Sequence, residues 1–458
     1  MLPLQILEPL IIGSVFSNTC NYEFLGNIRA IAYSVKIKYL RNLFLFSHYL
    51  HQAMNPATDP ANILPEPPRS SKLHLAFLDG IRGLAALYVV LVHCWEPSLV
   101  ESSQLALLWS PMTKFMRYGI FAVVIFVVLS GYCLMLPVVR SNKKYLSGGL
   151  LGFFKRRIRR ILPPYYAALI FCLIIGVSLI GLQRMTILTW DADRLNTLSG
   201  LFSANFSFYD VFIYFLLLQN FDLHFNDING PMWTVAVEFQ IYIIFALLLI
   251  PIWRRFGMVS TVITAFVLGL TLHYSMGEFT KSTYPWFIGI FAIGMAAAEI
   301  NFSQKPSLIK IKTSLPWCQL GAIFVFLAFV TEWLRFETLP GLELWIVHSF
   351  LALGSACLII FCTNFVIQGK SLPPVFNILE SRWVLALGVI SYSLYLTHAP
   401  IVFLVHQFLL SFNLSPTAMA TKWLLISLPL SLLVANVFHR IFERPFMSSS
   451  ALNLKSQK

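Results

Sequence analysis

The sequence predicts an all-α fold: a polytopic integral membrane bundle of about ten transmembrane helices. Three observations predict it. Hydrophobic residues make up 57% of the 458 residues and charged residues only 12%. A soluble domain carries roughly 25% charged residues, so this chain has too little polar surface to coat a globule. The same numbers exclude a disordered chain, whose signature is low hydrophobicity with high charge. The apolar residues are also gathered into stretches of the ~20-residue length that a helix needs to cross a bilayer.

Residues 1–72 stand apart as an N-terminal extension and linker. Leu2–Phe16 is apolar, but it has no basic flank and contains Pro9, which makes a poor signal peptide. Ile28–Leu50 mixes Arg29, Lys36, Lys38 and Arg41 with aromatic and aliphatic residues, the composition of an interfacial helix. Pro56–Pro68 holds five prolines and reads as a linker. The membrane domain, 73–446, then contains ten stretches of membrane length. They lie near 81–97, 119–137, 161–182, 232–252, 257–275, 284–300, 315–334, 343–367, 383–410 and 421–441. Val211–Leu218 is apolar but too short to cross, and Asn226-Asp227-Ile228-Asn229-Gly230-Pro231 after it is a strong loop signal. It is expected to be a short interfacial or re-entrant segment, which membranes tolerate only where protein or a water cavity surrounds it. Residues 447–458 form a tail.

The net charge of +13 is first a question of sidedness. Cytosolic loops carry an excess of Lys and Arg. With both termini in the cytosol, 22 of the 33 basic residues face it, seven face the opposite side, and eight of the 22 lie between Arg140 and Arg160. Nucleic acid is not an expected partner, because the basic run Lys155–Arg160 abuts a membrane span. The bilayer is one, through anionic lipid at that run. The seven Cys show no Cys-x-x-Cys and no Cys/His ligand spacing, so neither a metal site nor a disulfide framework is expected.

Ionisable groups inside spans are costly and mark functional candidates. Arg82 and His93 are 11 residues apart in the first span. That spacing returns to within about 20° on a helix, about 16 Å along its axis, so both share a face. Gly80, Gly83, Ala85 and Ala86 permit close packing there. Glu238 lies about 9 Å into the fourth span, with Tyr242 one turn on. Ser391, Tyr395 and His398 form an i, i+4, i+7 stripe in the ninth. His93, Glu238 and His398 therefore come to similar depth on three helices, as expected for one buried polar site or for a structural hydrogen-bond knot. Phe153-Phe154-Lys155-Arg156-Arg157-Ile158-Arg159-Arg160 fits either topology determination or a clamp for a phosphorylated ligand, which arginine suits by bidentate geometry. Cys94 follows His93 and points about 100° away around the helix, a poor placement for a covalent relay. His74-x4-Asp79 matches a pattern of glycerolipid acyltransferases, but it is short, sits at the membrane entry and lacks that family's second half.

Together these motifs resemble the membrane-bound acyltransferase-3 family over about residues 73–446. The resemblance rests on Leu78-Asp79-Gly80-Ile81-Arg82-Gly83 with the spacing to His93, and on Phe126-Val127-Val128-Leu129-Ser130-Gly131-Tyr132. It rests also on Arg156–Pro163, on Trp233-Thr234 through Glu238, on Ser391–His398 and on Phe442-Glu443-Arg444-Pro445. It implies an enzyme that moves an acyl group, in the first instance acetyl, from acyl-CoA to a hydroxyl of a carbohydrate, lipid or small metabolite. Acyl-CoA would be a co-substrate, with no permanently bound cofactor. His93 would act as general base, with Arg82 and Glu238 as further catalytic candidates; a neutral imidazole suits that task. Arg82, Arg157, Arg160 and Tyr132 would hold the acyl-CoA. Ser391, Tyr395 and His398 would face the acceptor or the developing oxyanion. The membrane would be that of the endoplasmic reticulum, another endomembrane or the cell surface. Two other classes fit the polar groups: a proton-coupled transporter and an inactive membrane scaffold. Visible internal repeats are missing for the first, and a damaged Arg82–His93 motif is missing for the second.

Overall fold

A computed structural model describes residues 74–447 except 96–113, 142–143, 186, 188–197, 199, 222–227 and 278–282. The N-terminal extension and most of the C-terminal tail lie outside the described residues, as do the first two residues of the 226–231 loop signal. Every described element is helical. In chain order they are α1 (Ala76–His93), α2 (Gly119–Arg140), α3 (Gly149–Arg184), α4 (Phe208–Leu216), α5 (Trp233–Ile244) and α6 (Ile250–Met276). There follow α7 (Phe287–Phe302), α8 (Pro306–Ser314), α9 (Trp317–Glu337), α10 (Leu344–Ile367), α11 (Arg382–Leu410) and α12 (Pro416–Phe438).

Among the described residues eight helical stretches are long and apolar enough to cross a membrane, or nine if the bent pair α7–α8 is one span. One of the eight, Gly230–Met276, runs for 47 residues, about 70 Å of helix against a ~30 Å hydrocarbon core. Its two ends return to the same place. Trp233 stacks on Tyr284 at 4.9 Å, and His273 packs at 4.9 Å against Trp286, itself 5.4 Å from Tyr284. The stretch therefore goes across and back. It turns at Gly257, whose backbone (φ +84°, ψ 177°) lies in a region open essentially only to glycine. A π-helical turn, Phe245–Leu249, joins α5 to α6 before the reversal. With α7, each of the ten stretches of the sequence reading falls for the most part on a described helix.

Charge sorts the two ends. Arg254 lies over Tyr145 at 3.6 Å and Arg140 over Phe302 at 5.6 Å, which gathers three connections at one basic end. At the other, Arg117 of the segment before α2 meets Glu337 at 3.5 Å and Phe336 at 4.7 Å. The short apolar segment is α4, nine residues long, about 14 Å and too short to cross. Ser207 and Asp210 cap it reciprocally, and Phe208, Phe212 and Phe215 are exposed.

Two helix pairs pack at backbone distance. A Cβ on Gly388 of α11 would fall 2.2 Å from the Asp79 carbonyl oxygen of α1, and one on Gly294 of α7 would fall 2.1 Å from that of Val128 in α2. Gly388→Ala must push α1 and α11 apart beside Arg82. It is expected to cost about 1–3 kcal/mol as an overpacking change, read as a lower thermal midpoint of the detergent-solubilised protein. An unchanged midpoint would contradict this packing.

Candidate active site

A cavity of about 160 Å³ lies among α1, α2, α3, α5 and α11. Each helix presents one face to it. On α2 the stripe is Val123, Phe126, Val127, Ser130, Cys133 and Leu134, the i, i+3, i+4, i+7 pattern of one helical face. From α1 comes Arg82; from α3, Arg157, Arg160 and Ile161; from α5, Thr234, Val235, Glu238 and Tyr242. Ser391, Tyr392 and Tyr395 come from α11.

Three arginines thus enter one narrow space. Arg82 is held: its Nη1 pairs with Asp79 Oδ1 at 2.9 Å, and its Nη2 donates to Cys133 Sγ at 3.0 Å. Arg157 is not held. Its Nε is buried without a hydrogen-bond partner. Among the described residues the one acid lining the cavity is already engaged: Glu238 Oε1 accepts from Ser130 Oγ at 2.5 Å and from the Tyr242 hydroxyl. A donor-rich cavity with its carboxylate occupied is suited to an anion, and arginine forks match phosphate oxygens.

The histidines lie beyond the Tyr395 end of the cavity. Tyr395 meets Phe126 edge-on at 6.2 Å, and its ring is 5.9 Å from that of His398. His398 Nε2 is 2.9 Å from His93 Nδ1, and His398 Nδ1 is 3.0 Å from the Leu394 carbonyl oxygen. His398 is fully buried, while His93, the last residue of α1, is half-buried.

The cavity brings together Arg82, Arg157, Arg160, Glu238, Ser391 and Tyr395 of the residues expected from the sequence. The histidines pair with each other, but Glu238 is bonded to Ser130 and Tyr242 rather than to either ring. Tyr132 is turned away: it is fully buried and bonds Asn301 at 3.1 Å and Thr363 at 2.9 Å. The motif residue at the cavity is Ser130, since positions two apart on a helix differ by about 200°. Ser391 donates to the Gly388 carbonyl at 2.9 Å and Tyr395 to that of Pro231 at 2.8 Å, so neither hydroxyl proton is free for an oxyanion. Cys94 is fully buried outside the cavity, whereas Cys133, absent from the sequence expectations, lines it. The α2 stripe was the available signal for Cys133.

Fold and site define a multi-pass helical membrane protein with a charged internal cavity and a buried histidine pair. The acyltransferase domain of the acyltransferase-3 family matches residues 75–440, and the chain belongs to that family. It is 22% identical over 388 residues to the O-acetyltransferase OatA of Staphylococcus aureus, covering 82% of this chain and 57% of that protein. It is 23% identical over 411 residues to the peptidoglycan O-acetyltransferase OatA of Listeria monocytogenes, covering 84% of this chain and 58% of that one. The chain thus spans little more than half the length of these relatives. No solved structure matches it.

Proposed function

We propose that this protein is a membrane O-acyltransferase that moves an acetyl group from acetyl-CoA to a hydroxyl of a carbohydrate, lipid or small metabolite. One observation carries the reading. A cavity with Arg82, Arg157 and Arg160 leads to Tyr395, and the His93–His398 pair lies directly beyond. Arg82 and His93 are about 16 Å apart along α1, a length suited to the extended pantetheine arm of CoA. The relatives' names supply the acetyl group and the oxygen acceptor.

The arginines bind the CoA phosphates at the basic, cytosolic end, and the thioester reaches His93. There the acceptor hydroxyl attacks the thioester carbonyl as His93 takes its proton. The new C–O bond forms, the C–S bond breaks, and the thiolate leaves with the proton returned by His93. The products are an ester and CoA thiol, with no net proton consumed. His93 ends α1, so the negative end of the helix dipole faces the positive charge that develops on its ring.

The test is acyl transfer in membranes containing the protein, given acetyl-CoA labelled in the acetyl group and an extracted metabolite pool. Label is expected in an alkali-labile, ester-linked product that is missing from membranes without the protein. Proton-coupled flux with no acylated product would overturn the reading in favour of transport.

A further inference from the structure

The hydrogen bonds of the histidine pair fix which nitrogen carries each proton. The Leu394 carbonyl oxygen can only accept, so His398 Nδ1, 3.0 Å away, carries a proton. Neither ring is bonded to a carboxylate among the described residues, and a buried unpaired charge is costly, so both rings are neutral. In a neutral ring protonated on Nδ1, Nε2 is an acceptor. His398 Nε2 therefore accepts across its 2.9 Å contact, and His93 Nδ1 must be the donor. That leaves the lone pair of His93 on Nε2, which makes no hydrogen bond to any described residue.

We infer that His398 is a positioning residue that locks His93 in the Nδ1–H tautomer and so exposes Nε2 as the proton acceptor. The inference rests on the reading of His93 as the base and adds what makes it one. The chain Leu394 C=O, His398, His93 runs from a helix backbone carbonyl to the reacting nitrogen. When Nε2 takes the hydroxyl proton, the charge on His93 is shared through its Nδ1–H with the lone pair of His398. The Nδ1–H of His398 is polarised in turn toward the Leu394 oxygen. The opposite tautomer would aim a proton at the hydroxyl and leave it no acceptor. Rigid placement is built in: His398 is fully buried, its ring lies 5.0 Å from that of His93 at an interplanar angle of 20°, and α1 and α11 pack at backbone distance through Gly388.

The test compares acetyl transfer from labelled acetyl-CoA to the extracted metabolite pool in membranes carrying wild type, His398→Leu, His398→Gln and His93→Ala. His398→Leu is expected to lower the maximal rate by about 10²–10³-fold, while the KM for acetyl-CoA stays within about twofold. His398→Gln puts an amide oxygen in reach of the Nε2 position and is expected to regain at least about tenfold of that loss. A rescue by Gln is not expected of a residue that only fills space. If His93→Ala is inactive while His398→Leu turns over at the wild-type rate, the positioning role is overturned and the base survives. If His93→Ala keeps the wild-type rate, the reading of the base itself fails. Should the His398 variants not fold, the tautomer remains measurable in the intact protein. With ¹⁵N-labelled histidine, the signals lost in His93→Ala should show a protonated Nδ1 and a bare Nε2. A protonated Nε2 there would overturn the inference.

Discussion

His93→Ala is expected to lower acyl transfer by about 10²–10⁴-fold, the usual worth of a positioned general base. The loss should fall on the maximal rate. His93 sits about 16 Å along α1 from Arg82, so the arginines proposed to grip the donor are untouched and the KM for acetyl-CoA should hold. The fold should also hold. His93 is the last residue of α1 and half-buried, and its removal leaves one buried acceptor, His398 Nε2, without its donor. Such an orphan costs about 1–3 kcal/mol, visible as a modest drop in thermal midpoint and far short of unfolding a bundle of this size. Equal label incorporation by variant and wild type would remove His93 from the mechanism.

Why His93 was readable and its surroundings were not can be seen in α1 itself. The apolar run suggests a span near 81–97, but the helix is Ala76–His93. Hydropathy penalises Asp79 and Arg82 at the start of the helix. The structure has no such penalty, because the two side chains neutralise each other at 2.9 Å and the helix continues through them. The same shift occurs in α3. The third span is expected at 161–182, yet the helix begins at Gly149 and carries the whole basic run on its first turns. Gly148 (φ +70°) sets that start, and periodicity says nothing about it. At α12 the expected span, 421–441, also starts late: Ser415 caps the helix through the Ala418 N–H and Pro416 occupies the first turn, neither of which an apolar run registers.

The site divides in the same way. Residues on one helix could be phased from spacing alone, which linked Arg82 to His93 and Ser391 to Tyr395 and His398. Relations between helices could not. Similar depth suggested Glu238 beside the histidines, but depth leaves azimuth free, and Glu238 faces Ser130 and Tyr242. Tyr132 went astray for a related reason: a motif marks a stretch of helix, and only packing tells which side of it meets the cavity. Gly131 settles that side, since a Cβ there would fall 2.1 Å from the Phe291 carbonyl oxygen and α2 must press that face on α7.

Arg157→Ala is expected to raise the KM for acetyl-CoA by about 10–100-fold, the worth of about 1.5–3 kcal/mol for hydrogen bonds to a charged group. Among the three cavity arginines this one should matter most. Arg82 is tied to Asp79 and Cys133, so part of its donor capacity is already used. Arg160 is exposed, where solvent and salt screen its charge. Arg157 makes no hydrogen bond to any described residue, and its Nε is buried without a partner. Its removal breaks no internal bond, so stability should hold or rise slightly while donor affinity falls. The measurement that isolates the phosphate contact compares acetyl-CoA with acetyl-pantetheine, which has the same thioester and arm but lacks the nucleotide. Wild type should prefer acetyl-CoA strongly, and Arg157→Ala should lose most of that preference. Arg157→Lys should keep part of it, because an ammonium supplies the charge without the bidentate fork. If wild type handles both donors alike, the arginines do not read phosphate, and the basic run is left with lipid contact and topology alone.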